Sequence, residues 1–306
     1  MADRLVTLRD GRRIGLTAFG DPIAERIVLF CHPAPGAGGF DPDPAVTSSW
    51  GVHLVSVDRP GYGASTALAD DRRPSIGRWA DDLAEYIEFV IEQAREAGNT
   101  PLHRVGVVGW SAGGRIALAL AAKHRGLVDR VTVVATPAPD AAVRWIPPEL
   151  ARTGADLLTQ PLPQAKQRLR AMLEAQAPGG TPGIELLAQG EADLALLDRP
   201  GLRGRLQRML DHAYEQGAVG VADDLLSYLP EDWGFDLDEV RAPVQLVYGA
   251  KDPVVPSSHG RWYRRHLRGT EAHLTVLPGA GHLVIAPAWE RILQHVDPQH
   301  GRRSDA

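Results

Sequence analysis

Apolar residues along this chain fall into short β-branched and aliphatic runs, separated by stretches whose apolar positions recur at helical spacing. Leu5 to Leu8 and Arg13 to Phe19 lie on either side of Asp10-Gly11, and apolar–polar alternation around an Asp-Gly pair predicts an antiparallel hairpin. Arg26 to Cys31 is apolar after its first residue, the pattern of a strand covered on both faces. Further strands are predicted over Val52 to Val57, Val105 to Val108, Arg130 to Ala135, Val244 to Tyr248 and Ala272 to Leu277. Between them, Ile76, Trp79, Leu83, Ile87, Val90 and Ile91 share one helical face behind an N-cap at Ser75. Arg115 to Lys123, rich in Ala, Leu and Ile, reads as a buried helix. Two more helices are expected, near Ser257 to Leu267 and after Gly281. Strand–helix alternation after a hairpin predicts an α/β protein: a mostly parallel eight-stranded sheet with right-handed crossovers and an N-terminal antiparallel hairpin.

The alternation stops after the sixth strand. From Asp140 to Trp233 helical faces recur without strands, among them Leu169, Met172 and Leu173, then Leu202, Leu206, Met209, Leu210 and Ala213. Pro147-Pro148, Pro161, Pro163, Pro178-Gly179-Gly180 and Pro200-Gly201 punctuate them. Because the alternation resumes afterwards, this stretch predicts a helical lid (residues 140–233) inserted in a core of residues 1–139 and 234–296. Residues 297–306 read as a polar, frayed tail.

Composition narrows the function. A net charge of −5 over 306 residues, with no basic stripe, argues against a nucleic-acid partner. The single cysteine, Cys31, excludes an internal disulfide framework and a Cys-based zinc site. No apolar run approaches membrane-spanning length, and the N-terminus lacks the basic and apolar regions of a signal peptide, so a cytoplasmic protein is expected. A homodimer is compatible with this reading.

The chemistry centres on Gly109-Trp110-Ser111-Ala112-Gly113, which joins the fifth strand to the buried helix. Strand, tight turn with serine at its apex, then helix is the context of a nucleophile elbow. Glycines two residues to either side relieve the collision that a Cβ would meet, and the helix N-terminus favours a developing oxyanion. A serine hydroxyl needs an imidazole as base and an acid to orient it. Of 11 histidines, His282 is singled out by its Gly-rich loop Pro278 to Gly281 directly after the last strand. Asp252, in Gly249-Ala-Lys-Asp-Pro after the seventh strand, is the expected acid, with Asp140 as the fallback. A parallel sheet delivers all these loops to one edge. The oxyanion hole is expected from the N–H groups of Ala112 and Ala34, since Pro33 and Pro35 have none. His32 is expected to stabilise its loop, and His32 and Trp110 are candidate pocket residues.

Five motifs in order carry a resemblance: His32-Pro-Ala-Pro-Gly36, Asp58-Arg-Pro-Gly-Tyr-Gly-Ala-Ser65, Gly109 to Gly114, Gly249 to Pro256, and Gly279-Ala-Gly-His282. The chain resembles the α/β-hydrolase superfamily, in its capped branch of esterase-, epoxide-hydrolase- and proline-iminopeptidase-like proteins. Pro33 stands where the family pattern has glycine. Ser111 argues against epoxide-hydrolase and haloalkane-dehalogenase chemistry, which resembling proteins perform with aspartate. The resemblance implies acyl transfer to water on a small, partly apolar ester, thioester or lactone, with no metal and no cofactor. Two rival readings follow from it. One is a non-hydrolytic member (lyase, cyclase, cofactor-free peroxidase or small-molecule receptor). The other is a proline-iminopeptidase-like peptidase, which would need lid carboxylates for a substrate amine; Glu185, Glu191, Asp193, Glu215, Asp223 and Asp224 are available, but ordinary helix-surface charge explains them.

Overall fold

The structure is a computed structural model that describes residues 4–98, 104–177, 180–230 and 232–300. Pro178 and Gly179 of the predicted lid and the last six residues of the predicted tail lie outside the described residues. In chain order the first half comprises β1 (Arg4–Thr7), β2 (Arg13–Gly20), β3 (Ile27–Cys31), α1 (Pro44–Trp50), β4 (His53–Val57), α2 (Ile76–Glu96), β5 (Val105–Trp110), α3 (Ala112–Lys123) and β6 (Val128–Val134). Five helices follow: α4 (Pro148–Thr159), α5 (Leu162–Gln176), α6 (Glu191–Leu196), α7 (Leu202–Ala213) and α8 (Val219–Tyr228). The chain closes with β7 (Val244–Gly249), α9 (Ser258–His266), β8 (Ala272–Leu277) and α10 (Trp289–Val296).

All eight strands form one sheet in the order β1-β2-β4-β3-β5-β6-β7-β8. The two pairings made by β2 are antiparallel and the other five are parallel. The hairpin closes as the Asp-Gly pair predicts, with Gly11 at φ +87° and its N–H donated to the Leu8 carbonyl at 2.9 Å. Ser75 caps α2, its hydroxyl accepting the Arg78 N–H at 3.2 Å. The exchange of β4 and β3 puts β4 on one side of β3 and β5 on the other. The chain therefore changes direction across the sheet between β3 and β5, the switch point where open α/β sheets bind ligands. Cys31 at the end of β3 is in register with Gly109 of β5, so the loop from His32 and the turn at Ser111 emerge side by side.

Period-two alternation sends each strand's side chains to two cores. Leu29, Val107 and Val133 join Ile116, Leu120, Trp79 and Leu83 of α2 and α3 on one face. Val28, Phe30, Val108, Trp110 and Val134 join Ile292 and Leu293 of α10 on the other. The second core also contains Leu202, Leu206, Met209 and Leu210 of α7, all fully buried. The apolar stripe that the sequence places in α7 is thus core packing against the sheet. Helices α4, α5 and α8 share a smaller cluster of their own around Leu157, Leu169 and Leu226. The polar tail begins packed: Asp297 is buried and the His300 ring stacks on Trp50 at 4.2 Å.

Candidate active site

Ser111 stands between β5 and α3 with φ +53° and ψ −120°, one of two non-glycine residues at positive φ among those described. Such a conformation costs roughly 1–3 kcal/mol and persists only where the surroundings enforce it. Here the Ser111 N–H still donates to the Val134 carbonyl of β6 at 2.8 Å, so the residue is pinned to the sheet. The glycines permit the close approach. A Cβ on Gly113 would fall 2.0 Å from the Cys31 carbonyl oxygen, and one on Gly109 would fall 2.4 Å from that of Gly113. Gly114 has the same constraint against the Thr136 hydroxyl at 1.9 Å. The start of α3 is pressed onto the end of β3, which carries Ala112 to the loop that contains Ala34. Ser111 and Ala34 are half-buried; their neighbours Trp110, Ala112, Pro33 and Pro35 are buried.

The expected acid and base come together. His282 Nδ1 and Asp252 Oδ2 are 2.8 Å apart, both residues buried. Asp252 Oδ1 accepts the N–H groups of Val254 and Val255, each at 2.8 Å, which fixes the plane of the carboxylate. Burial works to raise its carboxyl, but hydrogen bonding and attraction from His282, with the two N–H groups, outweigh it and hold the group below the ordinary carboxylate range. The fallback acid is occupied elsewhere: Asp140 Oδ1 accepts the Trp145 and Ile146 N–H groups at 2.8 Å. Trp110, next to Ser111, ties the elbow to the histidine loop. Its Nε1 donates to the His282 carbonyl at 3.2 Å and its ring lies 6.0 Å from the imidazole, with Phe40 on it at 5.6 Å. With no exposed surface, Trp110 packs rather than lines an open pocket.

Proline-rich loops shape the rest of the site, and they share a physical problem. Prolines bring carbonyls without N–H groups, so a buried Pro-rich loop needs donors from elsewhere. For the His32–Pro35 loop the donor is Arg59, whose Nη1 and Nη2 bond the His32 and Pro33 carbonyls at 2.7 and 2.8 Å. His32 is fully buried and uses both ring nitrogens: Nδ1 donates to Pro33 O at 2.9 Å and Nε2 accepts the Arg59 N–H at 3.3 Å. Burial and the Arg59 charge hold it neutral, well below the usual histidine range. It braces the loop and does not face an open pocket. For the Thr136–Pro139 loop after β6, Arg115, Tyr248 and Tyr263 donate to the Pro137, Ala138 and Thr136 carbonyls.

His259 of α9 accepts the Ala138 N–H of that loop on Nδ1 at 3.0 Å. Burial, reinforced by the Arg115 charge, pushes the ring down to about 4 from its ordinary 6.5. A folded value below the unfolded one means that the neutral ring stabilises the fold fully above pH 6.5 and that this is lost as pH falls through 6.5 toward 4. Thermal melts across that window should show the wild type losing stability faster than His259→Asn, whose amide oxygen can accept the same N–H. Parallel decline in both proteins would refute the assignment.

Three carboxylates within residues 140–233 are not the surface charges that the sequence suggests. Asp193, Asp223 and Asp224 are fully buried. Asp224 of α8 pairs with Arg59, Nε to Oδ1 at 3.0 Å, and accepts the Tyr62 hydroxyl at 2.8 Å. Asp223 pairs with buried Lys166 of α5 at 3.2 Å. Asp193 of α6 accepts the His282 and Leu283 N–H groups. Each is spoken for by the protein, which leaves Glu185, Glu191 and Glu215 as the exposed carboxylates of that set. Sequence periodicity could not find these roles, because nothing local marks a buried aspartate. Among the described residues no group of three His, Cys, Asp or Glu side chains is disposed to hold a metal ion, and no helix is long and apolar enough to cross a membrane.

The family model of the alpha/beta hydrolase family matches residues 28–294. The chain belongs to the alpha/beta hydrolase family. Among curated relatives it is 29% identical over 261 residues to a pimeloyl-[acyl-carrier protein] methyl ester esterase from Chromobacterium violaceum, covering 80% of this chain and 88% of the relative. A protein of the same description from Neisseria meningitidis is 29% identical over 234 residues, covering 72% and 84%. Among solved structures, an esterase from Exiguobacterium antarcticum superposes with a TM-score of 0.67 at 19% identity, covering 97% of this chain and 98% of the other. An enol-lactonase from Burkholderia xenovorans superposes at 0.63 with 16% identity, covering 95% and 98%. These structures share the alpha/beta hydrolase fold with it.

Proposed function

We propose that this protein is a serine hydrolase of carboxylic esters acting on a small, partly apolar substrate. In this reading Ser111 attacks the ester carbonyl while His282 takes its proton, then returns it to the leaving alcohol. Asp252 holds the imidazole in the tautomer that leaves Nε2 unprotonated in the resting enzyme. The N–H groups of Ala112 and Ala34 receive the oxyanion, and water attacking the acyl-enzyme regenerates the serine. The balance closes without a metal or an organic cofactor. The insertion serves as a lid over the carboxyl edge of the sheet and contributes the substrate pocket.

Two observations carry the reading: the 2.8 Å contact between His282 and Asp252, and a serine held at positive φ in the turn between β5 and α3. The Trp110 contacts to His282 support the closeness of base and elbow. Relatives described as methyl ester esterases favour an ester with a small alcohol. The peptidase alternative loses support, since the buried insertion carboxylates already have partners in the protein.

The test is a fluorophosphonate probe with mass detection, beside a panel of methyl and p-nitrophenyl esters of increasing acyl length. The expected result is one adduct on Ser111, absent from Ser111→Ala, and hydrolysis of short or medium esters by the wild type. A folded wild type that takes no label and cleaves no ester would overturn the proposal in favour of a binding role.

A further inference from the structure

The carboxylate of Asp193 reaches into the histidine loop from a separate element. Its Oδ2 accepts the N–H of His282 and its Oδ1 that of Leu283, both at 2.9 Å, across 89 and 90 residues of chain. Those two N–H groups open the short helical turn His282–Ile285, where the first donors have no acceptor within the turn. A turn of this kind normally takes a capping oxygen from the residue just before it. That residue is Gly281, which has no side chain, and the cap is supplied by the insertion instead. The loop is shaped to admit it: a Cβ on Gly281 would fall 2.4 Å from Asp193 Oδ1.

We propose that Asp193 is a positioning residue for ester hydrolysis, setting the backbone of His282 and so tying the insertion to the placement of the base. The inference rests on the hydrolase reading given above. His282 is then held at three points by three elements: its Nδ1 by Asp252, its carbonyl by Trp110 and its N–H by Asp193. An imidazole that must pass a proton tolerates little displacement, and this backbone contact governs where the ring begins. The charge also matters. When His282 becomes an imidazolium during acyl transfer, a second buried carboxyl stands near it; burial pushes that group above the ordinary carboxylate range, against the two N–H groups and the attraction of His282, which pull it down. A neutral amide would present one acceptor in place of two and no charge.

Asp193→Asn and Asp193→Ala, measured against wild type, test this. Hydrolysis of p-nitrophenyl acetate is followed at a temperature where circular dichroism shows each protein folded. Expected is a kcat loss of between about tenfold and a hundredfold with little change in KM, larger for alanine. Fluorophosphonate labelling of Ser111 should slow in proportion. The acid limb of the kcat/KM profile should move to lower pH in Asp193→Asn, which bracing of the insertion alone would not cause. If the alanine variant does not fold, the asparagine variant decides, and Gly281→Ala should reproduce the loss from the other side of the contact. Wild-type kcat, labelling rate and pH profile in a folded variant would overturn the positioning role alone. A wild type inert to the probe and to the ester would overturn the hydrolase reading and this proposal with it.

Discussion

Asp252→Asn is expected to lower kcat for ester hydrolysis by about 10⁴-fold while leaving the melting temperature nearly unchanged. The loss comes from a forced orientation of the amide. Oδ1 of Asp252 accepts two backbone N–H groups, from Val254 and Val255. An asparagine in its place must keep its carbonyl oxygen toward those donors, because its NH₂ group there would meet two N–H groups head-on. The NH₂ group then faces His282 Nδ1, where the native carboxylate oxygen sits at 2.8 Å. It can only donate, so Nδ1 must accept and the ring proton moves to Nε2. A histidine protonated on Nε2 cannot take the serine proton, although the packing is preserved. Steady-state kinetics on a p-nitrophenyl ester beside a thermal melt check this. A variant retaining more than a tenth of wild-type kcat would show that another group orients the imidazole.

The second large effect is on stability. Asp224→Ala leaves the Arg59 guanidinium buried without its counter-charge, and breaking a buried pair by removing one partner costs about 3–5 kcal/mol. For a chain of this length that corresponds to a fall in melting temperature on the order of 10 °C. Activity should fall as well. Arg59 holds the His32 and Pro33 carbonyls, and this loop presents Ala34. Losing one oxyanion donor typically costs about 10²–10³ in kcat. The double variant Arg59→Met/Asp224→Leu separates the two effects. It removes the unpaired charge and should recover much of the stability, while the two carbonyls now lose their Arg59 donors altogether and the kcat deficit persists. Recovery of both properties together would mean that the pair serves only the fold. Equal stability of wild type and Asp224→Ala would mean that water reaches Arg59.

Much of the molecule is legible in sequence because the features concerned are local. Strand and helix periods predict the eight strands and the helices around them, and Asp10-Gly11 and Ser75 act through their own neighbours. The elbow is legible for the same reason: its glycines are spaced to clear contacts, at Cys31 and Thr136, that any strand–turn–helix of this kind must make. His282 and Asp252 are found because each lies in a loop directly after a strand of a parallel sheet, which fixes the edge they reach.

Pairing across the chain is another matter. The exchange of β3 and β4 in the sheet, which creates the switch point beside Ser111, leaves no trace in either strand's pattern. In sequence Asp193, Asp223 and Asp224 are indistinguishable from the exposed Glu185, Glu191 and Glu215. Only the docking of α6 and α8 makes them partners of His282, Lys166 and Arg59. Sequence by itself determined which residues are candidates for chemistry and the sheet edge to which their loops lead. The tertiary structure alone decided what holds them there. The physical reason is that a nucleophile's turn is built from adjacent residues, whereas a buried charge takes its meaning from whichever distant segment is folded against it.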